Sequence, residues 1–180
     1  LALLYAAQAS HDHALPAPAK LALIDPAPVT RQFREAFEAE FARRQADPTI
    51  QSMRDELANS GLRERDPDGY RHRAFELSVA GYFADPRAAR SLTPFRVVGR
   101  VQQSVWESLG NYDLVADGRL ASIHCPTLIG YGKQDPIPVA SSEACARALG
   151  AELVTLDGCG HVPYVEQPAA LFAARRPFTS

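Results

Sequence analysis

Two short apolar runs near one end of the chain, Pro126-Thr-Leu-Ile-Gly-Tyr-Gly132 and Leu153-Val-Thr-Leu156, limit its possible folds more than any other feature. Both are too short for a helix and are bounded by glycine, which is the pattern of buried strands. Between them lies an Ala-rich stretch, Val139 to Leu149, ended by Gly150, and Ala151 opens the second run. The order strand, helix, strand predicts a right-handed crossover between parallel neighbours. A third run, Lys20-Leu-Ala-Leu-Ile-Asp25, closed by Pro26 and Pro28, reads as another strand. The fold class expected is therefore α/β.

Open α/β sheets collect their chemistry on the loops leaving the carboxyl ends of the strands. Asp135 follows the first of the two runs on Lys133-Gln-Asp135-Pro-Ile-Pro138, and His161 follows the second on Gly158-Cys-Gly-His161. An imidazole suits proton transfer near neutral pH, and a carboxylate bonded to it fixes its tautomer and stabilises the imidazolium. A lone loop histidine usually makes one surface hydrogen bond. The two residues at the tips of successive strands say more than either alone.

The segments Cys125-Pro-Thr-Leu-Ile-Gly-Tyr-Gly-Lys-Gln-Asp135-Pro-Ile-Pro138 and Gly158-Cys-Gly-His161-Val-Pro-Tyr-Val-Glu166-Gln-Pro168 together resemble the acid strand and histidine loop of the α/β-hydrolases, acid before histidine. The resemblance covers the C-terminal third and extends to the first 25 residues. It implies the C-terminal part of an α/β-hydrolase sheet, three parallel strands with flanking helices, plus a helical lid insertion. It also implies acyl transfer on an ester or amide, with His161 as general base and acid and Asp135 orienting it. The family's Gly-x-Ser-x-Gly turn is missing, since none of the eleven serines has that glycine pair. Leu1–Ala9 resembles the helix just after that turn, and the only methionine is Met53. The nucleophile and both oxyanion donors are thus expected upstream, on an N-terminal half of the same fold, and the segment by itself is expected to be inactive. The hidden nucleophile is open: serine, cysteine, or the aspartate of a dehalogenase or epoxide hydrolase. Two other readings stand beside an enzyme: a fragment that binds its complementary half through the edge of the Leu21–Ile24 strand, and a scaffold that binds ligand without catalysis.

From Thr30 to about Gly110 the pattern turns helical. Phe33, Phe37 and Phe41 recur every fourth residue and predict a helix over Arg31–Arg44. Asp47-Pro48, Asp66-Pro67 and Asp85-Pro86 each read as a cap followed by a first-turn proline. The second of these starts a helix expected to carry Tyr70, Leu77 and Tyr82, and the third a short helix. Pro94 to Leu109 is expected as a further helix, with Val98, Val101, Val105 and Leu109 on one face. The boundaries expected are core 1–29, lid 30–115 and core 116–180. The passage Val101 to Leu114 and on to Thr127 resembles the lid-to-core step of the prolyl aminopeptidase branch, where lid carboxylates hold the substrate's terminal ammonium. It makes Trp106 and Glu107 candidate substrate contacts, although a solvated helix-surface role for Glu107 is the plainer reading, and Pro136 stands where some of that branch carry a second acid. Glu166-Gln-Pro168 is expected to open the final helix, Ala169 to Arg175, as an N-terminal charge, with Leu171 and Phe172 packed inward and Pro177 ending it.

Composition excludes several classes. The net charge is −2 and the 19 Lys and Arg are interspersed with 21 acids, which gives no footprint for nucleic acid. No apolar run approaches the ~20 residues that span a bilayer, and Leu1–Ala9 lacks the basic flank of a signal peptide. Three cysteines without metal-ligand spacing suit reduced thiols and a cytoplasmic setting, and Cys159, on the same tight loop as His161, should point away from it. His11-Asp12-His13 offers two histidines without a third ligand, so no metal or other cofactor is expected. The partners expected are a small-molecule or peptide substrate and the complementary half.

Overall fold

In the computed structural model, which describes residues 1–93 and 98–179, the chain begins with helix α1 (Ala2–Ala9), strand β1 (Leu21–Ile24) and helices α2 (Arg31–Gln45), α3 (Pro48–Asn59), α4 (Leu62–Arg65), α5 (Pro67–Val79) and α6 (Gly99–Leu109). It continues with β2 (Thr127–Gly132), α7 (Val139–Leu149), β3 (Glu152–Leu156), α8 (Pro163–Glu166) and α9 (Pro168–Thr179). Short 3-10 turns occupy Ala80–Tyr82, Pro86–Ser91 and Leu120–Ser122. No helix is long and apolar enough to cross a membrane, among the described residues.

The three strands form one parallel sheet in the order β1-β2-β3, with Leu23 beside Ile129 and Ile129 beside Leu153. Every residue of β2 is buried, as a central strand covered on both faces must be. On one face Leu21, Leu23 and Ile129 meet Leu3, Ala6 and Ala7 of α1 and Cys145 and Ala146 of α7. On the other, Ile24, Val154 and Leu156 meet Leu171 of α9. Gly130 makes that close approach possible, because a Cβ there would sit 3.3 Å from Ile24 Cδ1 and 3.6 Å from Leu171 Cδ1.

β3 departs from the expectation of a buried strand: Glu152 and Thr155 are exposed, Leu153 and Val154 half-buried, and only Leu156 is buried. It pairs on one side only among the described residues, so it is an edge, and short apolar runs do not encode their place in a sheet. Phe172 likewise points outward, 50% exposed, because it lies about a quarter-turn from the inward Leu171. The last helix runs beyond Pro177 to Thr179, and Glu166 closes the one-turn α8 rather than opening α9.

The Asp-Pro starts act as caps. Asp47, Asp66 and Asp85 accept hydrogen bonds from the backbone N–H of Thr49, Gly69 and Arg87. The third opens a 3-10 turn instead of an α-helix, and Tyr82 lies beyond the end of α5. Pro94, the expected start of the next helix, lies outside the described residues; α6 begins at Gly99, and Val98 and Val101 are exposed while Val105 and Leu109 are half-buried. The helical stretch leaves and returns at one place. Thr30 pairs with Asp113, Arg31 N–H donates to Tyr112 O, Leu114 N–H donates to Val29 O, and the Tyr112 hydroxyl donates to Pro28 O at 3.1 Å.

Candidate active site

Asp135 is set by the turn that leaves β2. Its N–H donates to Gly132 O, its Oδ1 accepts from Ile137 N–H at 2.8 Å, and the Tyr131 hydroxyl donates to Ile137 O at 3.0 Å. The carboxylate is buried, and its Oδ2 lies 2.8 Å from His161 Nδ1, whose side chain is 28% exposed. A carboxylate only accepts, so Nδ1 carries the hydrogen, and in the neutral imidazole Nε2 keeps the lone pair.

The histidine loop is fastened from several directions. Gln134 N–H donates to Cys159 O, Cys159 N–H donates to Gln134 Oε1, and His161 N–H donates to Tyr82 O at 2.8 Å. Glu166 accepts from Ala84 N–H at 2.7 Å and from Gly160 N–H at 2.8 Å, tying the loop to the segment after α5. Burial raises the Glu166 carboxyl above its ordinary range. Two glycines permit the contact. A Cβ on Gly132 would lie 2.0 Å from Gly160 O, and one on Gly160 would lie 2.2 Å from Tyr82 O. The Tyr82 ring packs on the imidazole with centroids 4.9 Å apart, and burial raises its phenol.

Asp25, at the end of β1, joins this pair. One side-chain oxygen or nitrogen each from Asp25, Asp135 and His161 lies within 4.8 Å of the other two. Its Oδ1 accepts from Gly132 N–H at 2.8 Å, and its carboxyl is pushed up to about 8, chiefly by burial and then by the charge of Asp135.

Beside His161 is a cavity of about 290 Å³, walled by Ala27, Pro28, Phe37, Trp106 and Ile137, with Arg34, Glu38 and Tyr82 as its polar members. Trp106 therefore faces the same space as the histidine, with the Arg34 guanidinium 4.5 Å over its ring. Glu107 does not reach that space. It is exposed, accepts from Gln103 Nε2 at 2.7 Å, and lines an adjoining groove of about 590 Å³ that shares Arg34, Glu38 and Trp106 with the cavity. Cys159 is buried, its Sγ lies 3.4 Å from Gly160 O, and its thiol is pushed up to about 12 mainly by burial, which makes it a poor nucleophile. Asp12 of the His11-Asp12-His13 stretch accepts from Ala14 N–H.

Sequence reasoning missed Asp25, Tyr82 and the clamp at Glu166. Asp25 carried a readable signal, since Asp25-Pro26 follows β1 as Asp135-Pro136 follows β2. Tyr82 carried none, being 79 residues from the ring it packs on.

A parallel sheet with an acid and a histidine at adjoining strand tips defines a class, and the profile of the alpha/beta hydrolase family matches residues 1–175. The chain belongs to that family. No curated protein matches it. Solved structures do: VinJ, with a TM-score of 0.54 at 16% identity, covering 98% of this chain and 60% of that one. An alpha/beta hydrolase enzyme, MGS-M2, from a Medee basin deep-sea metagenome library gives 0.53 at 16%, covering 99% and 62%. Est816, described as an N-acyl homoserine lactone degrading enzyme, gives 0.51 at 20%, covering 96% and 62%. At these identities the likeness is one of fold. The chain thus spans 60 to 62% of the length of these three proteins.

Proposed function

We propose that this chain supplies the proton-handling part of a hydrolase site for esters or amides. The observation that carries the reading is the 2.8 Å bond from Asp135 to His161 Nδ1, which leaves Nε2 unbonded among the described residues. Nε2 takes the proton of a nucleophilic hydroxyl as its oxygen bonds to the substrate carbonyl carbon, and passes that proton to the leaving group as the acyl bond breaks. In the second half it takes a proton from water, which attacks the acyl carbon, and returns it to the nucleophile. Asp135 stays ionised and steadies the imidazolium.

The nucleophile and oxyanion donors belong, in this reading, to further strands of the fold beyond β1. Two observations support it: the outer edge of β1 is unpaired among the described residues, and beside it is an apolar hollow of about 440 Å³ lined by Leu3, Leu4, Leu23, Pro28, Trp106 and Leu109. Residues 30–115 form the lid, which excludes water and shapes the acyl pocket through Phe37, Tyr82 and Trp106. The cavity suits a small substrate with an apolar acyl part. An aminopeptidase-like substrate would place its ammonium in the groove at Glu107. Three free thiols suit a reducing compartment.

The test uses the polypeptide that joins this chain to a nucleophile-bearing half. A fluorophosphonate probe labels it if the nucleophile is serine. His161→Ala and Asp135→Asn each lower kcat on p-nitrophenyl esters by about 10²- to 10⁴-fold. Undiminished turnover in both variants rejects the reading.

A further inference from the structure

Three buried carboxyls stand out, and two have full sets of partners. Glu76 meets Arg73 at 2.8 Å and His72 at 3.0 Å, while Asp135 meets Ile137 N–H and His161. The third, Asp25, is 5% exposed and its Oδ2 has no hydrogen-bond partner. The backbone is committed to holding it there. Asp25 is the only non-glycine residue with a positive φ, 41°, among the described residues, and its own N–H donates to Gly130 O at 2.8 Å.

The titratable groups coupled to it by proximity or charge are Asp135 and Tyr131 from β2 and its loop, Cys159 and His161 from the histidine loop, and Glu166 from α8. No Lys or Arg is among them. The imidazole is already bonded to Asp135, and the thiol and phenol are both raised in part by these carboxylates. An ionised Asp25 would leave a bare negative oxygen in a dry site next to a second carboxylate. A proton on Oδ2 removes that charge and turns the orphaned oxygen into a donor, and the neighbouring acceptor is Asp135, whose carboxylate has an oxygen within 4.8 Å of one of Asp25.

We propose that Asp25 is a positioning residue, a neutral carboxylic acid at neutral pH that shares its proton with Asp135, so the two carboxyls present one negative charge to His161. Its effect on turnover rests on the reading of His161 as the base; the placement of the proton does not. When Asp25 loses the proton, the site carries two negative charges, the imidazolium is held more firmly, and the base is withdrawn.

Carbon-detected NMR of this chain follows the Asp25 carboxyl through a pH titration, assigned by through-bond correlation from its own β-carbon. A midpoint above about pH 7 supports the proposal, and one at or below about pH 7 overturns it. This measurement needs no stable variant. In the catalytically complete polypeptide, Asp25→Asn keeps a donor but has no proton to lose, so it shifts the alkaline limb of the kcat/KM profile by more than about 0.5 pH unit. A profile that is only scaled down uniformly overturns the positioning role. Failure of the hydrolase reading shows separately, as turnover that survives His161→Ala.

Discussion

At the scale of single residues, the site depends on backbone contacts that admit no extra atom. A methyl group at Gly160 would press on Tyr82 O at 2.2 Å, and main chain cannot swing aside as a side chain can. Gly160→Ala should therefore lower stability by about 1–3 kcal/mol and displace the histidine loop, seen as a shifted His161 ring resonance alongside an earlier denaturant midpoint. Glu166→Gln should lower stability by about 1–2 kcal/mol in urea unfolding, because an amide has one acceptor oxygen for the two N–H groups that now divide between two. The pH dependence has a definite sign. Asp25 and Glu166 both have carboxyls raised in the folded state, so between their ordinary values of 3.8 and 4.5 and the folded values the native chain binds more protons than the unfolded one. Stability is then fullest below about pH 4 as far as these two groups go, and falls as pH rises toward 8. Thermal melts at pH 5 and pH 8 should show the lower midpoint at pH 8, with a smaller difference in Asp25→Asn.

At the scale of elements, α2 reaches the acid loop through one side chain. Arg44 Nη1 donates to Gln134 O at 2.5 Å while its Nε holds Glu40 at 2.8 Å, and the Arg43 and Arg44 bonds pull the Glu40 carboxyl down to about 2. Arg44→Leu should free the loop from the helix, so the amides of Gln134, Asp135 and Ile137 should exchange faster with solvent while those within β2 hold their rate. Much of this layout was legible in the chain. Strand tips followed by Asp135 and by His161 can be read because the run length, the glycine and the polar residue are all local. The Asp-Pro caps are local too. The edge position of β3 was not legible, since its apolar run is as short as that of β2 and only the order of strands exposes one and buries the other. Nor was the clamp at Glu166, which looks like an ordinary helix charge until the segment after α5 folds against it.

At the scale of the whole molecule, the sheet is too narrow to cover what it exposes. β1 alternates buried and open positions and has a neighbour on one side only among the described residues, and the hollow beside it is lined by leucines, prolines and Trp106. Parallel strands are stable when both faces and both neighbours are present, because each unpaired N–H and C=O on an edge must otherwise find water or another chain. Next to that edge Leu1 is 89% exposed and Tyr5 45% exposed, so apolar surface continues from the hollow onto α1. The isolated 180-residue chain should accordingly enhance the fluorescence of a hydrophobic dye and associate as its concentration rises. Adding a complementary half that carries the neighbouring strands should quench the dye signal and give one species of defined mass by light scattering. A monomer that melts in one sharp transition and leaves the dye dark would mean that β1 is satisfied as it stands, and the proposal that further strands extend the sheet at this edge would fail.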